Sequence, residues 1–167
     1  TALKNMTGEL NAAGYVKGIM DGAAAGLSNF LPAIIFIVAC FLAFATGTSW
    51  GTFGILIPIV TNIFEATDPL LFVGISACLA GAVCGDHCSP ISDTTIMSSA
   101  GAQCDHLNHV STQLPYSISV AAISFVMFII SGFIPNAFIV LPIGIALTVL
   151  FLFVAKLIMK AKYKEHI

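Results

Sequence analysis

The sequence contains no arginine and very few charged residues of any kind. Its 167 residues include six lysines and eight acidic residues, so charged side chains make up 8% of the chain. A soluble globular domain carries roughly 25%, so this composition nearly excludes a water-soluble enzyme. With a net charge of −2, the chain also lacks a basic surface that could neutralise a run of phosphates. We therefore expect no nucleic-acid partner.

The cysteines do not form the pattern of a disulfide-rich domain. There are five of them, an odd number, and most lie among apolar or small residues, which argues against a disulfide scaffold. The chain also begins without methionine and lacks the succession of basic, apolar and small residues that marks a cleaved signal peptide. We expect it to be a piece of a longer protein.

Charged residues are absent from three long stretches, residues 22–64, 69–85 and 106–155. Such stretches can hold helices of about 20 mostly apolar residues, the length that crosses a bilayer. The sequence therefore predicts one all-α, multi-pass domain over residues 1–167, in the cell membrane and surrounded by lipid. Residues 1–27, which are rich in small side chains, form a lead-in of ambiguous structure. The lysines after residue 155 predict a cytoplasmic C-terminus.

Residues 28–64 predict a helical hairpin. An apolar run that ends at Ala45 is followed by the glycine- and hydroxyl-rich segment 46–52, and then by 12 residues before Glu65. The second arm is too short for an untilted crossing, so we expect a re-entrant hairpin whose tip lies inside the protein. An external loop between two spans is the alternative, although such a loop would be expected to contain charges or asparagines.

Residues 69–101 predict a broken helix. Its first arm is expected to end near Gly85, residues 86–89 to be unwound, and a second arm to run from Pro90 to about residue 100. Ser89 would cap the second arm, with Pro90 at its first position. The polar residues 103–113 are expected at an aqueous face. Two conventional spans are predicted within residues 114–160, joined at Ile134-Pro135.

Two acidic residues, Asp86 and Asp93, lie in the second polar interruption, and no lysine or arginine is near them in sequence. An acid at the bilayer centre costs roughly 2.5–3.5 kcal/mol on insertion scales, so it usually has a function or a partner. Without a cationic partner, each carboxylate could be neutralised by a proton or by a bound metal ion. Exchange of sodium for protons requires a group of this kind. Capping of a helix start is the alternative for Asp93.

Oxygen atoms around the two interruptions suit a small hard cation such as sodium. The predicted ion- and proton-binding residues are Asp86, Asp93, Thr48, Ser49, Ser89, Ser92 and Thr94. The residues predicted to form or permit the breaks are Thr46, Gly47, Trp50, Gly51, Gly85 and Pro90. Thr46 and Thr95 offer further hydroxyls. For any single serine or threonine, a hydrogen bond to its own helix is the more common arrangement.

Histidine, cysteine and tryptophan side chains leave alternatives open. His87 could relay protons beside Asp86 or simply hydrogen-bond a neighbouring helix. Trp50 could line the cavity or anchor the chain at the membrane interface. An intramembrane metalloenzyme is a rival from another class, but the spacing of the cysteines and histidines between Cys84 and His109 matches no standard zinc site. We therefore expect no zinc, and sodium at the oxygen ligands instead.

Several longer motifs resemble those of the NhaC-type sodium/proton antiporters. They are Phe44-Ala-Thr-Gly-Thr-Ser-Trp-Gly-Thr-Phe53, Gly85-Asp-His-Cys-Ser-Pro-Ile-Ser-Asp-Thr-Thr-Ile96, Gly101-Ala-Gln-Cys-Asp-His-Leu-Asn-His-Val110 and Thr112-Gln-Leu-Pro-Tyr116. The resemblance spans roughly residues 28–133. It implies that the chain is the C-terminal part of an inverted-repeat transporter and holds the hairpin and broken helix of the second repeat.

The same resemblance implies a function and its partners. Sodium and protons would be exchanged by alternating access, driven by an ion gradient, so no cofactor is needed. The N-terminal half of the same protein would complete the site, and a homodimer is common among related folds. The family also contains exchangers of carboxylates and other organic solutes, so a coupled organic-anion exchanger is the alternative. A membrane subunit that only scaffolds partners is a further one.

Overall fold

The computed structural model describes residues 9–10 and 28–164. Within residues 28–164 a short 3₁₀ turn, Ser28–Phe30, leads into six α-helices. They are α1 Leu31–Thr46, α2 Ser49–Ile63, α3 Pro69–Cys88, α4 Asp93–Gly101, α5 His106–Phe133 and α6 Ala137–Lys164. The predicted lead-in, residues 1–27, lies outside the described residues except for Glu9 and Leu10.

Four stretches of the described chain are long and apolar enough to cross a membrane: Ser28–Thr46, Pro69–Cys88, His106–Phe133 and Ala137–Ile158. The helix Ser49–Ile63 is apolar but shorter. The prediction of an all-α, multi-pass membrane protein is therefore confirmed. The last two helices extend beyond the predicted spans. Helix α5 begins before Pro115 because Asp105 caps it ten residues earlier by accepting a hydrogen bond from the Asn108 amide. Helix α6 continues to Lys164.

Helices α1 and α3 pack closely because small residues line their contact. A Cβ atom on Gly81 or Gly85 would collide with the backbone carbonyl of Phe36 or Cys40 on α1. Small residues let helix backbones approach in this way within membranes. The alanines at this contact have no exposed surface: Ala39, Ala43, Ala77 and Ala82.

Helices α2 and α5 cover the α1–α3 pair. On α2, Val60 packs against Gly74 of α3, as does Phe64 just beyond the helix. On α5, the ring of Phe128 lies 5.2 Å from the ring of Phe36. Helix α6 packs against α5. This arrangement leaves the turn between α1 and α2 and the interruption between α3 and α4 at the same end of α3.

The interruption in the broken helix lies further along the chain than predicted. Helix α3 continues through Asp86 to Cys88, and α4 begins at Asp93. The unwound segment is therefore 89–92, not 86–89, and the prediction of Ser89 as cap was wrong. Pro90 disfavours helical backbone at the residue before it, which ends α3. Ser92 caps α4 instead, because its Oγ accepts a hydrogen bond from the Thr94 amide at 3.2 Å.

Candidate functional site

The hairpin turn and the unwound segment are in direct contact. Gly47 adopts a left-handed backbone with φ 65°, and a Cβ atom there would lie 2.8 Å from the carbonyl oxygen of Ile91. Ser89 donates a hydrogen bond from Oγ to the carbonyl oxygen of Phe44 at 2.8 Å. A residue with a side chain would be strained at Gly47, both by the left-handed backbone and by the close approach of the Ile91 carbonyl. The two predicted breaks are thus parts of one junction.

Asp86 is the buried acid of this junction, with 3% of its surface exposed. Ser92 donates from Oγ to Asp86 Oδ1 at 2.7 Å, and Thr94 Oγ1 lies 3.4 Å from Asp86 Oδ2. The hydroxyl oxygens of Ser92 and Thr94 are 2.6 Å apart. No lysine or arginine occurs in the sequence between Lys17 and Lys156. The carboxylate therefore accepts hydrogen bonds from hydroxyl groups, without a lysine or arginine nearby in sequence.

This three-residue cluster can accommodate two protonation states of Asp86. When the carboxylate is ionised, Thr94 can donate to Ser92 and Ser92 to Asp86. When the carboxyl group carries a proton, the direction can reverse, because each hydroxyl both donates and accepts. The same oxygens can serve as ligands of a hard cation. We call Asp86, Ser92 and Thr94 the carboxylate–hydroxyl cluster.

Asp93 lies apart from this cluster. It is the first residue of α4 and exposed, and its Oδ1 accepts a hydrogen bond from the Thr94 amide at 2.8 Å. A carboxylate in the first turn of a helix is favoured by the helix dipole. Within the described part of the chain its geometry matches the capping role that the sequence left open.

The hairpin-turn hydroxyls make local hydrogen bonds. Thr48 caps α2 by accepting from the Gly51 amide at 3.4 Å, and its carbonyl oxygen accepts from Thr52 Oγ1 at 2.9 Å. Thr46 donates to the carbonyl of Leu42, and Ser49 is the first residue of α2. Trp50 is 82% exposed and lies edge-on to Phe53. Thr48 therefore caps the start of α2, and Thr46 bonds to the backbone of the last turn of α1.

One predicted role, that of Gly85, changes once the helices are placed, and the proton relay through His87 stays a prediction. Gly85 lies inside α3 against Cys40, so it permits close helix packing and does not form the break. His87 is exposed, and its Nδ1 bonds to the Val83 carbonyl of its own helix at 2.8 Å. Among the described residues, no three His, Cys, Asp or Glu side chains are grouped so that they could hold a metal.

His106 was not among the predicted site residues. Its Nε2 lies 2.7 Å from the carbonyl oxygen of Pro90, and its Nδ1 lies 3.0 Å from Ser99 Oγ. The ring therefore connects the start of α5 to both the unwound segment and α4. In sequence it lies in a polar run that indicates an aqueous face, and in the motif Gly101–Val110 that carries the family resemblance. Neither signal indicates a contact with Pro90.

Thr95, which the sequence analysis named as a further hydroxyl, supplies a prediction. Its side chain is 3% exposed and its Oγ1 has no hydrogen-bond partner within the described part of the chain. A buried hydroxyl without a partner costs about 1–3 kcal/mol. We expect Thr95→Val to leave the thermal stability of the complete, detergent-solubilised protein unchanged or to raise it.

Thr52→Val is the matched control for this prediction. Thr52 is equally buried, at 1% exposed, but its hydroxyl donates to the Thr48 carbonyl. We expect that variant to lower the free energy of unfolding by about 1 kcal/mol. A loss of stability in Thr95→Val equal to that in Thr52→Val would contradict the prediction.

Comparison with known proteins places the chain in a family. The model of the Na⁺/H⁺ antiporter family matches residues 2–133, most of the chain. The chain belongs to the Na⁺/H⁺ antiporter family. The resemblance to NhaC-type antiporters is thereby confirmed. No solved structure matches the chain significantly.

The curated relatives of this family member differ in what their names describe. The chain is 46% identical over 132 residues to an uncharacterized protein of Haemophilus influenzae, a match covering 78% of the chain and 25% of that protein. It is 38% identical to the malate-2H⁺/Na⁺-lactate antiporter of Bacillus subtilis, over 64% of the chain and 22% of that antiporter. It is 32% identical to an uncharacterized Na⁺/H⁺ antiporter of Haemophilus influenzae, over 64% of the chain and 24% of that antiporter. The chain thus spans about a quarter of the length of these relatives.

Proposed function

We propose that the complete protein is a secondary transporter that exchanges sodium for protons, and that Asp86 carries either ion in turn. The observation that supports this most strongly is the buried Asp86 carboxylate, which contacts the hydroxyl groups of Ser92 and Thr94 at the junction of the two breaks. A buried carboxylate is costly unless it is neutralised. Because hydroxyl oxygens surround Asp86, a proton and a sodium ion are both suitable neutralising partners, and they compete.

The helix ends favour the same site. Helix α3 ends at Cys88, shortly after Asp86, and the carbonyl-rich end of a helix attracts cations. Helix α4 begins beside Ser92, and its N-terminus favours the ionised carboxylate when sodium is absent. Ser92 and Thr94 would bind sodium through their hydroxyls, with Ser89, Thr48, Ser49 and Asp93 as further candidates at the same junction.

The junction also suggests how the site is exposed to each side in turn. In our proposal, the α1–α2 hairpin is re-entrant, and its turn lies at membrane depth beside the unwound segment between α3 and α4. Such interrupted backbone is tolerated only where it is buried in protein or lines a cavity. The remainder of the protein would supply the other inverted repeat and close the site from the opposite side.

The C-terminus would be cytoplasmic, because lysines follow the last span. The ion gradient would drive exchange, without a cofactor.

A second candidate is coupled exchange of an organic anion. It is favoured by the relative named as a malate-2H⁺/Na⁺-lactate antiporter, which is 38% identical to this chain, whereas the relative named as an uncharacterized Na⁺/H⁺ antiporter is 32% identical. Helix N-termini at Ser49 and Asp93 could face a carboxyl group. The negative charges of Asp86 and Asp93 would oppose such a ligand unless cations bind with it.

Proton flux in vesicles separates the two candidates. The complete protein is reconstituted in lipid vesicles that contain a pH-sensitive dye, and sodium chloride is added outside. We expect sodium alone to evoke a saturable proton flux that potassium chloride does not evoke. If sodium produces no flux until malate or lactate is added, the sodium/proton assignment is wrong and the organic-anion candidate is supported.

A further inference from the structure

His106 connects three parts of the chain that meet near Asp86. Its Nε2 lies 2.7 Å from the carbonyl oxygen of Pro90 in the unwound segment. Because a carbonyl oxygen can only accept, Nε2 must carry the donated hydrogen. On the other side of the ring, Nδ1 lies 3.0 Å from Ser99 Oγ on α4, and Ser99 is buried. His106 is the first residue of α5, and Asp105 caps that helix start by accepting a hydrogen bond from the Asn108 amide at 2.8 Å.

The unwound segment has few other attachments to its neighbours. The Ser89 amide donates to the Asp86 carbonyl at the end of α3 at 3.1 Å, and the other two amides make long hydrogen bonds within the segment: Ile91 N to Ser89 Oγ at 3.4 Å and Ser92 N to Ser89 O at 3.4 Å. Pro90 has no N–H to contribute. The bond from His106 to the Pro90 carbonyl is shorter than either. It joins the segment to α5, as Ser89 joins it to α1.

We propose that His106 is a positioning residue, which holds the unwound segment so that Ser92 stays in hydrogen-bonding contact with Asp86. Ser92 lies two residues after Pro90, and its Oγ donates to Asp86 Oδ1. Release of the Pro90 carbonyl would free the segment between its attachment at Ser89 and the start of α4. Ser92 would then move relative to the carboxylate. The consequence for sodium binding rests on the proposed function, whereas the restraint on the segment does not.

Two amide substitutions distinguish the hydrogen bond of His106 to Pro90 from its hydrogen bond to Ser99. The amide nitrogen of Gln reaches about where Nε2 lies, whereas that of Asn reaches about where Nδ1 lies. His106→Gln can therefore still donate to Pro90, and His106→Asn can bond only to Ser99. Both variants are uncharged and neither can relay a proton as imidazole does. A difference between them reports on position and not on proton transfer.

The first measurement is hydrogen exchange of the backbone amides of Ile91 and Ser92 in the complete protein, in lipid nanodiscs. Loss of one hydrogen bond predicts roughly three- to ten-fold faster exchange in His106→Asn. We expect exchange within about two-fold of wild type in His106→Gln, which keeps the bond. Equal exchange in both variants, or no acceleration in His106→Asn, would overturn the proposal.

The second measurement is sodium-driven proton flux in vesicles. We expect His106→Asn to raise the half-saturating sodium concentration roughly three- to ten-fold, with a smaller effect on the maximal rate. In His106→Gln, the half-saturating sodium concentration should stay close to the wild-type value. If both variants abolish flux equally, the ring acts through its protons and the positioning role is wrong. If the wild-type protein shows no sodium-driven flux, the proposed function fails, and the exchange measurement still decides whether His106 restrains the segment.

Discussion

Asp86→Asn is expected to abolish sodium-driven proton exchange by the complete protein, reducing it to the level of empty vesicles. Asn keeps the size of the side chain and can still accept a hydrogen bond from Ser92, so the junction should fold. It cannot take up or release a proton at neutral pH, and it offers sodium no negative charge. Flux is measured with the vesicle assay described above, at equal amounts of reconstituted protein.

Two other Asp→Asn variants serve as controls for Asp86. Asp105 caps α5, and Asn is an equally good capping residue, so Asp105→Asn should keep both stability and flux. Asp93 is exposed and bonded to the Thr94 amide, so we expect Asp93→Asn to weaken sodium binding less than Asp86→Asn does. Wild-type flux in Asp86→Asn would reject the cluster as the ion site and favour a scaffolding role.

The positions of the helices follow largely from local sequence. Apolar runs without charge predicted the membrane-spanning helices, and the glycine- and hydroxyl-rich segment at residues 46–52 predicted the turn between α1 and α2. Ser89-Pro90 predicted that a helix begins nearby, and α4 begins three residues after Pro90, at Asp93. The end of α3 was misplaced because Gly85 was interpreted as a helix terminus. Its lack of a side chain is instead required by contact with Cys40, a residue of another helix.

The candidate site was predicted only in part, for a similar reason. Asp86 stood out because an acid within an apolar stretch is unusual, and Ser92 and Thr94 because they are close to it in sequence. Which hydroxyls bond locally, as Thr46 does to Leu42, depends on side-chain rotamers that sequence does not specify. The contact between His106 and the Pro90 carbonyl joins residues sixteen apart, and no periodicity encodes it.

Gly85→Ala is expected to be the most destabilising small substitution near the site. The added methyl group would collide with the Cys40 carbonyl, which belongs to backbone and cannot rotate away as a side chain could. Forcing extra volume into a tight contact costs about 1–3 kcal/mol, and occasionally more. We expect a lower unfolding temperature of the detergent-solubilised protein and less protein in the membrane.

Gly54→Ala is the matched control, because Gly54 also lies inside a helix but a Cβ atom there would meet nothing within 4 Å. Replacing an uncrowded helical glycine by alanine should stabilise by about 0.5–1 kcal/mol, so the two variants should shift the unfolding temperature in opposite directions. Equal shifts would mean that α1 and α3 are not in close contact at Gly85.

Because Asp86 is the next residue along α3, separation of these helices at Gly85 should also displace the carboxylate. Gly85→Ala protein that still folds should therefore require more sodium for half-maximal flux.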